Sequence, residues 1–280
     1  MPKCKGCNRG QRVTLSGTES KSIKRIVAAL ALIAGIVSVI SALSEPQSLN
    51  KGPCEQNLDS CPPQGCAHAG TTDALLNMLK RRFPPSDRVA SLSFKDFATL
   101  QTHADRLVGQ NIPLVKLSRD RLKNLTVSGG AVSEGDLVEM AGFIVGAPHP
   151  NRGGESVNCR LRGLENNDIH ITLARERGEA EYRGIVAAMI PQGRPPTWTV
   201  ERLREIQQEN RMLLVRGQLL YDNKHIVNAD PQFLLPGQPK RFTLWEVHPV
   251  TQIYVCRMED HACNPEASAE WELFGEATSR

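Results

Sequence analysis

Aromatic residues are scarce in this chain: seven Phe, three Trp and three Tyr among 280 residues, or 5%. So few rings leave little material for the stacking platforms on which proteins hold single-stranded nucleic acid. Charge of one sign is not in large excess either, with 34 Lys+Arg against 30 Asp+Glu and a formal net charge of +4. Long hydrophobic runs are confined to one, and 40% apolar residues is too little for a polytopic membrane protein and too much for a wholly disordered chain. No GxSxG, P-loop, GxGxxG or HExxH string occurs, which removes the best-marked hydrolase, nucleotide and metalloprotease signatures. Collagen, coiled coil and a small disulfide knot are excluded by the same totals, and the length suits one or two domains.

What is present is unevenly placed. Residues 1–25 carry seven basic side chains (Lys3, Lys5, Arg9, Arg12, Lys21, Lys24 and Arg25) and one acid, Glu19, a net +6 that leaves −2 for the rest. Directly after them, Ile26 to Leu43 run 18 residues without a charge, broken only by Gly35, Ser38 and Ser41. As a helix this run reaches about 27 Å, close to the thickness of a bilayer core. A basic flank ahead of such a run keeps the N-terminus in the cytoplasm and sends the following chain outward. Residues 26–43 therefore read as a transmembrane anchor, or as a signal sequence cut near Ala42-Leu43-Ser44. The first leaves the main body anchored to the inner membrane outside the cytoplasm, and the second makes it periplasmic or secreted.

Cys4 and Cys7 fall on the cytoplasmic side and supply two thiolates, where a structural zinc needs four ligands. The other six cysteines, Cys54, Cys61, Cys66, Cys159, Cys256 and Cys263, all follow the hydrophobic run. An even count in an oxidising compartment predicts up to three disulfides, with 15 possible connectivities. Local pairing within Cys54–Cys66 and between Cys256 and Cys263 is the preferred arrangement. A zinc site from Cys61, Cys66 and His68 is the alternative.

Beyond the leader, residues 44–70 form a Cys/Pro/Gly-rich linker and 71–135 a small helical region. Thr72 or Asp73 caps a helix over ALLNMLKRR that stops at Phe83-Pro84-Pro85. Ser93 caps a second, in which Phe94, Phe97, Leu100 and Leu107 recur near helical spacing. Residues 80–123 hold ten basic and four acidic groups, either a binding face or a solvated helix surface. From Asp136 the period changes to that of strands: LVEMAGFIVGA, then ESVNCRL after a Gly-Gly turn, then DIHITLA, with Ile169, Ile171 and Leu173 on one face and Asp168, His170 and Thr172 on the other. RGIVAAMIP is a further strand, and an amphipathic helix begins near Thr199. MLLVRGQLLYDNKHIVN reads as a hairpin around Asp222–Lys224, followed by the strand FTLWEVHPVTQIYVC. Residues 258–280 read as an acidic tail, closed by Cys263.

Three or four strands, one helix, then two strands is the order of an OB-fold barrel. VEMAGFIVG and LVRGQLLYDNKHIV resemble the first and fourth OB strands, each with a central Gly where the barrel coils. The resemblance covers residues 136–257 and implies a mainly β fold: an OB-like five- to six-stranded barrel with one inter-strand helix, preceded by the small helical region and an N-terminal membrane helix. The segment ESVNCRLRGLENN departs from it and is expected to form an added hairpin. The chain also resembles a group of exported bacterial proteins that carry a WE-hydrophobic-HP string, here Trp245-Glu246-Val247-His248-Pro249. That resemblance implies no active site.

Chemistry-bearing residues concentrate in four strings: Glu155 and Asn158, Asp168 and His170, Asp222 and His225, and Trp245, Glu246 and His248. Side chains at i and i+2 of a strand share a side but lie about 7 Å apart, suited to lining a groove rather than to pairing directly. If the strings converge, His170, His225 and His248 could hold zinc, with Glu246 and Asp168 fixing their tautomers, or two His could act as acid and base in a hydrolase. The competing reading is solvent-facing strand residues, ordinary turn chemistry at Asp222 and packing of Trp245 at the barrel end. Basic and acidic groups nearly balance over residues 136–257, so single-stranded nucleic acid is a poor partner. The expectation carried forward is a non-catalytic barrel, without cofactor, that binds an envelope ligand or protein partner, with the membrane met through residues 26–43.

Overall fold

A computed structural model describes residues 52–84, 88–151, 154–227 and 241–275. The leader and the hydrophobic run 26–43 lie outside the described residues. Among the described residues no helix is long and apolar enough to cross a membrane.

The chain enters α1 (Thr72–Lys80), with Thr71 Oγ1 accepting the Ala74 amide as N-cap. The two-residue strand β1 (Ala90–Ser91) leads to α2 (Phe94–Leu107), whose Ser93 and Asp96 exchange side-chain and backbone hydrogen bonds in a capping box. Asp96 also accepts from the Ser128 amide and hydroxyl, tying α2 to the tip of the hairpin β2 (Leu125–Val127) and β3 (Gly130–Val132). Between them lies the short helix α3 (Lys116–Arg119). The barrel strands are β4 (Leu137–Pro150), β5 (Ile169–Ala174), β6 (Ile185–Met189), β7 (Met212–Tyr221) and β8 (Trp245–Cys256), with α4 (Val200–Gln208) between β6 and β7. A last strand, β9 (Trp271–Leu273), pairs with β8.

The sheet runs β4-β5-β6-β8-β7 and closes on itself through β4–β7, with β6 and β8 parallel and the other barrel pairs antiparallel. This closed five-strand barrel, with one helix between its third and fourth strands, is compatible with an OB-like fold. The two strand glycines have a steric role. A Cβ on Gly142 would stand 2.8 Å from the Ala174 carbonyl oxygen, and one on Gly217 would stand 2.3 Å from that of Pro249 and 2.7 Å from Val247 Cγ1. The β7–β8 register shifts on either side of Gly217, so β8 crosses β7 where no side chain intervenes.

Four expectations are corrected. ESVNCRLRGLENN forms two short 3-10 turns, Ser156–Asn158 and Leu164–Asn166, rather than a hairpin. Its chain reverses through left-handed residues Cys159 and Arg160, which strand pairing does not accommodate. Asp222–Lys224 does not turn a hairpin: β7 ends at Tyr221, and its antiparallel partners are β4 and β8. The acidic tail is not simply a tail, because Trp271 and Phe274 are buried and β9 extends the sheet. The basic stretch 80–123 is not one surface either. Lys80 and Arg119 are turned inward, Arg119 onto Glu134 and Asn223, because burial of those acceptors demands a donor.

Gly217→Ala is expected to cost roughly 1–3 kcal/mol through overpacking at the β7–β8 crossing, measured as a shift of the urea midpoint. Gly129→Ala, whose nearest neighbour would be 3.9 Å away, is the control and should stay within about 0.5 kcal/mol.

Candidate functional site

The barrel sorts its residues by parity. Ile169, Ile171, Leu173, Ile185, Ala187, Met189, Leu219, Tyr221, Trp245 and Val247 belong to one apolar core, together with Phe97 and Leu100 of α2. Cross-strand partners share a face, and the registers His170↔Ala188, Ala187↔Val247 and Leu220↔Glu246 put the even-numbered positions of these strands outside. The outer set therefore includes Asp168, His170, Gln218, Glu246 and His248. The competing reading had the acids and histidines among these facing solvent. Instead Asp168 and Gln218 are 0% exposed, and Glu246 and His248 are 1%.

Their partners come from Leu79 at the end of α1, from Asn158 and from Arg241, and the Cys-rich segment is stapled as a cap to the turn that carries Asn158. Cys54 pairs with Cys66, Cys61 with Cys159 and Cys256 with Cys263. The first and third are the local pairings expected from the sequence; the second spans 98 residues and lay outside that preference. The cap is knitted to the 3-10 turn before β5 by Cys54 N–H to Cys159 O at 3.1 Å and Cys66 N–H to Ser156 O at 2.9 Å. Gly65 passes so close that a Cβ there would meet Ser156 O at 2.0 Å. Asn77 of α1 bridges the Gln64 carbonyl and Ser156 Oγ, while Arg81 donates to the Cys61 and Pro62 carbonyls. Leu58, Cys61, Cys66, Cys159 and Leu161 form a small apolar core of their own.

Between cap and barrel lies a buried polar layer. Glu246 accepts from Arg241 Nη1 at 2.7 Å and contacts His248 Nδ1 at 2.9 Å. Adjacent outer residues of one strand thus pair directly, against the expectation from the 7 Å spacing, because their long side chains lean together. His248 Nε2 faces Asp168 Oδ2 at 3.4 Å, and Asp168 Oδ1 accepts from Asn158 Nδ2, whose own oxygen takes Gln192 Nε2. Gln218 Nε2 donates to the His248 and Leu79 carbonyls. Lys80, at the end of α1, reaches Asp222 at 2.9 Å, with His225 Nε2 3.3 Å from the same oxygen. Asp222 also accepts from the Lys224 amide, so its turn chemistry and its ion pair coexist.

Burial opposes charge throughout this layer, and specific partners decide the outcome. For Lys80 burial works downward, but Asp222, Glu155 and Glu246 hold its ammonium above the ordinary value. For Asp222 burial works upward and is overcome by Lys80 and His225, leaving the carboxyl well below its ordinary range. Glu246 is likewise pulled down against burial, to about 2, chiefly by Arg241 and with help from His248. Glu155 goes the other way: burial, with repulsion from Asp168, raises its carboxyl despite Lys80. His170 is drawn down to about 4 by burial, with Asp168 opposing, and so is a neutral ring at pH 7.

Six of the nine nominated residues therefore meet in one layer: Glu155, Asn158, Asp168, Asp222, Glu246 and His248. His225 touches its edge. His170 lies beside it and opposes His149 across β4–β5, ring centroids 5.9 Å apart. Trp245 is separate, packed in the barrel interior on Tyr221 at 5.2 Å. The imidazoles of His170, His225 and His248 do not gather as a ligand set. Among the described residues, the one group of three potential ligands lying within 4.8 Å of one another is Cys54, Cys66 and Cys159, whose sulfurs are in disulfides. His68 does not join it. Sequence reasoning missed Lys80, Arg241, Gln192 and Gln218; of these, only Gln218 carried a signal, as a polar residue at an outward position of an apolar strand.

Fold and site together define a closed five-stranded barrel whose polar outer face is sealed beneath a disulfide-stapled cap. No protein-family model and no curated protein matches the sequence.

The pH dependence follows from these directions. His170 has a folded pKa below its unfolded one, so the unfolded chain binds more protons between pH 6.5 and about 4, and stability falls as pH drops through that window. His170→Gln should flatten this part of a urea-midpoint-versus-pH curve. Glu246 contributes stability that is present above its unfolded pKa of 4.5 and lost as pH falls towards about 2. Glu246→Gln should be less stable at pH 7 while losing less on acidification below pH 4.5.

Proposed function

We propose that this chain is an exported or membrane-anchored envelope protein whose barrel binds a ligand or partner without catalysing a reaction. The observation that carries the reading is the pairing of Asp222, Glu246 and Asn158 within the polar layer. Asp222 is engaged with Lys80, Glu246 with Arg241 and His248, and Asn158 with Gln192 and Asp168. Three disulfides fit an oxidising compartment, in line with the basic leader and hydrophobic run. OB-like barrels commonly bind oligonucleotides and oligosaccharides on the faces of their second and third strands. Here those strands are β5 and β6, whose outward Thr172 and Ala188 are buried, which argues against nucleic acid at that face. One concavity among the described residues is a groove of about 400 Å³ between the 164–169 turn and the start of α4, walled by Leu164, Ile169, Pro191, Pro195 and Trp198. Arg194 on its wall is held by the Asn167, Met189 and Leu164 carbonyls, so the wall is rigid. Envelope glycans or a protein segment suit such a groove better than a polyanion.

A second reading, a metal-dependent or His-based hydrolase, is favoured by one observation. Glu155 Oε2, Asp168 Oδ2 and His248 Nε2 are buried without hydrogen-bond partners, and Glu155 is biased towards holding a proton. Zinc would be the metal of this reading, and it would have to draw the three atoms together, since they do not lie within 4.8 Å of one another.

Metal analysis of the purified exported part, with ester and phosphodiester assays before and after adding zinc, separates the two. The binding reading expects substoichiometric metal and no turnover that responds to His248→Gln. Stoichiometric zinc, lost together with turnover in Asp168→Asn, would establish the second reading instead. Capture of an envelope component by the immobilised protein should weaken at least about tenfold, roughly 1.4 kcal/mol, in Leu164→Asp, since Leu164 is exposed on the groove wall. Unchanged capture would place binding elsewhere.

A further inference from the structure

The cap holds two disulfides side by side. The sulfurs of Cys54, Cys66 and Cys159 all lie within 4.8 Å of one another, so the Cys54–Cys66 bridge abuts the sulfur of the Cys61–Cys159 bridge. The two bridges differ in access: Cys54 is exposed, whereas Cys61 and Cys159 are 5% and 0% exposed. They also differ in leaving group. Arg81 Nη1 stands 3.7 Å from Cys61 Sγ, and a guanidinium beside a sulfur favours its thiolate. The third bridge, Cys256–Cys263, is buried and has no further cysteine sulfur in such a group among the described residues.

We propose that Cys54, Cys66, Cys159 and Cys61 form a thiol–disulfide exchange relay that accepts two electrons from a dithiol partner at Cys54 and ends with Cys54 and Cys61 as the two thiols. The partner's thiolate attacks Cys54 Sγ, forming a mixed disulfide, breaking the Cys54–Cys66 bond and releasing Cys66 as thiolate. Cys66 attacks the neighbouring Cys159 Sγ. The Cys66–Cys159 bond forms, the Cys61–Cys159 bond breaks, and the electron pair leaves on Cys61 beside Arg81. The partner's second thiol then resolves the mixed disulfide, carrying away the oxidising equivalent as its own disulfide and leaving Cys54 as a thiol. The net change is one protein disulfide reduced and one partner dithiol oxidised. The surviving bridge still joins cap to barrel, now through Cys66. An exposed dithiol of the oxidoreductase type is the partner this chemistry fits, and the relay is independent of what the groove binds.

The test is limiting reduction of the whole protein with dithiothreitol, acid quenching at intervals, alkylation of free thiols and peptide mapping of the remaining bridges. The relay expects a species with Cys54 and Cys61 alkylated, a Cys66–Cys159 bridge and Cys256–Cys263 intact. Arg81→Gln should delay that species several-fold without slowing the first loss of Cys54–Cys66. A Cys54→Ala/Cys66→Ala variant should reduce at Cys61–Cys159 at least tenfold more slowly than wild type. Alkylation of Cys54 and Cys66 with Cys61–Cys159 persisting would overturn the proposal, as would reduction of Cys61–Cys159 without any Cys66–Cys159 product. The wild-type time course decides this even if a variant fails to fold.

Discussion

Asp222 and Lys80 meet at 2.9 Å with the carboxylate 1% exposed, and the arrangement of cap on barrel depends on contacts of this kind. A carboxylate taken out of water is tolerated only when a cation and further donors replace its hydration. The outer face of β5, β8 and the end of β7 presents Asp168, Glu246 and Asp222 together. A barrel alone would leave them to water. Once covered, each must find a partner, and the 155–159 turn, the 241–244 segment and α1 provide Asn158, Arg241 and Lys80 respectively.

The disulfides make that cover possible. The 52–66 segment has no apolar period and buries few side chains, so its backbone order must come from covalent links and from hydrogen bonds to the 155–159 turn. Cys61–Cys159 closes a loop of 98 residues, the kind of long-range link that most restricts the unfolded chain. It also fixes the turn that carries Glu155 and Asn158. The covalent and electrostatic parts of the interface thus support each other at the same five residues.

Much of the barrel was readable from period and punctuation. DIHITLA and RGIVAAMIP sit where their alternation placed them, Ser93 and Thr199 cap their helices, and the glycines of β4 and β7 stand at close crossings. Within DIH and within WEVHP the acid and the histidine were read as sharing a side of their strand, because parity is local; whether the two strings met was left open. Whether that side was wet or dry could not be read locally. It depends on a cap drawn from residues 52–80, about 90 positions before Asp168 and 140 before Asp222. Lys80 and Arg241 carry no mark distinguishing a buried cation from a surface one. The ESVNCRL segment was misread because its residues have strand-like composition, while its chain takes a left-handed turn at Cys159 and Arg160, where the long-range bridge attaches.

Buried ion pairing across the layer holds α1 and the cap on the barrel, and a double-mutant cycle on Lys80→Met and Asp222→Asn tests this most directly. Each single change leaves a charge buried without its partner, whereas the double change removes both. The unfolding free energies at pH 7 should show a coupling of at least about 1.5 kcal/mol between the two positions. Additivity within about 0.5 kcal/mol would contradict the account, reducing the pair to an incidental contact between surfaces joined by disulfides alone.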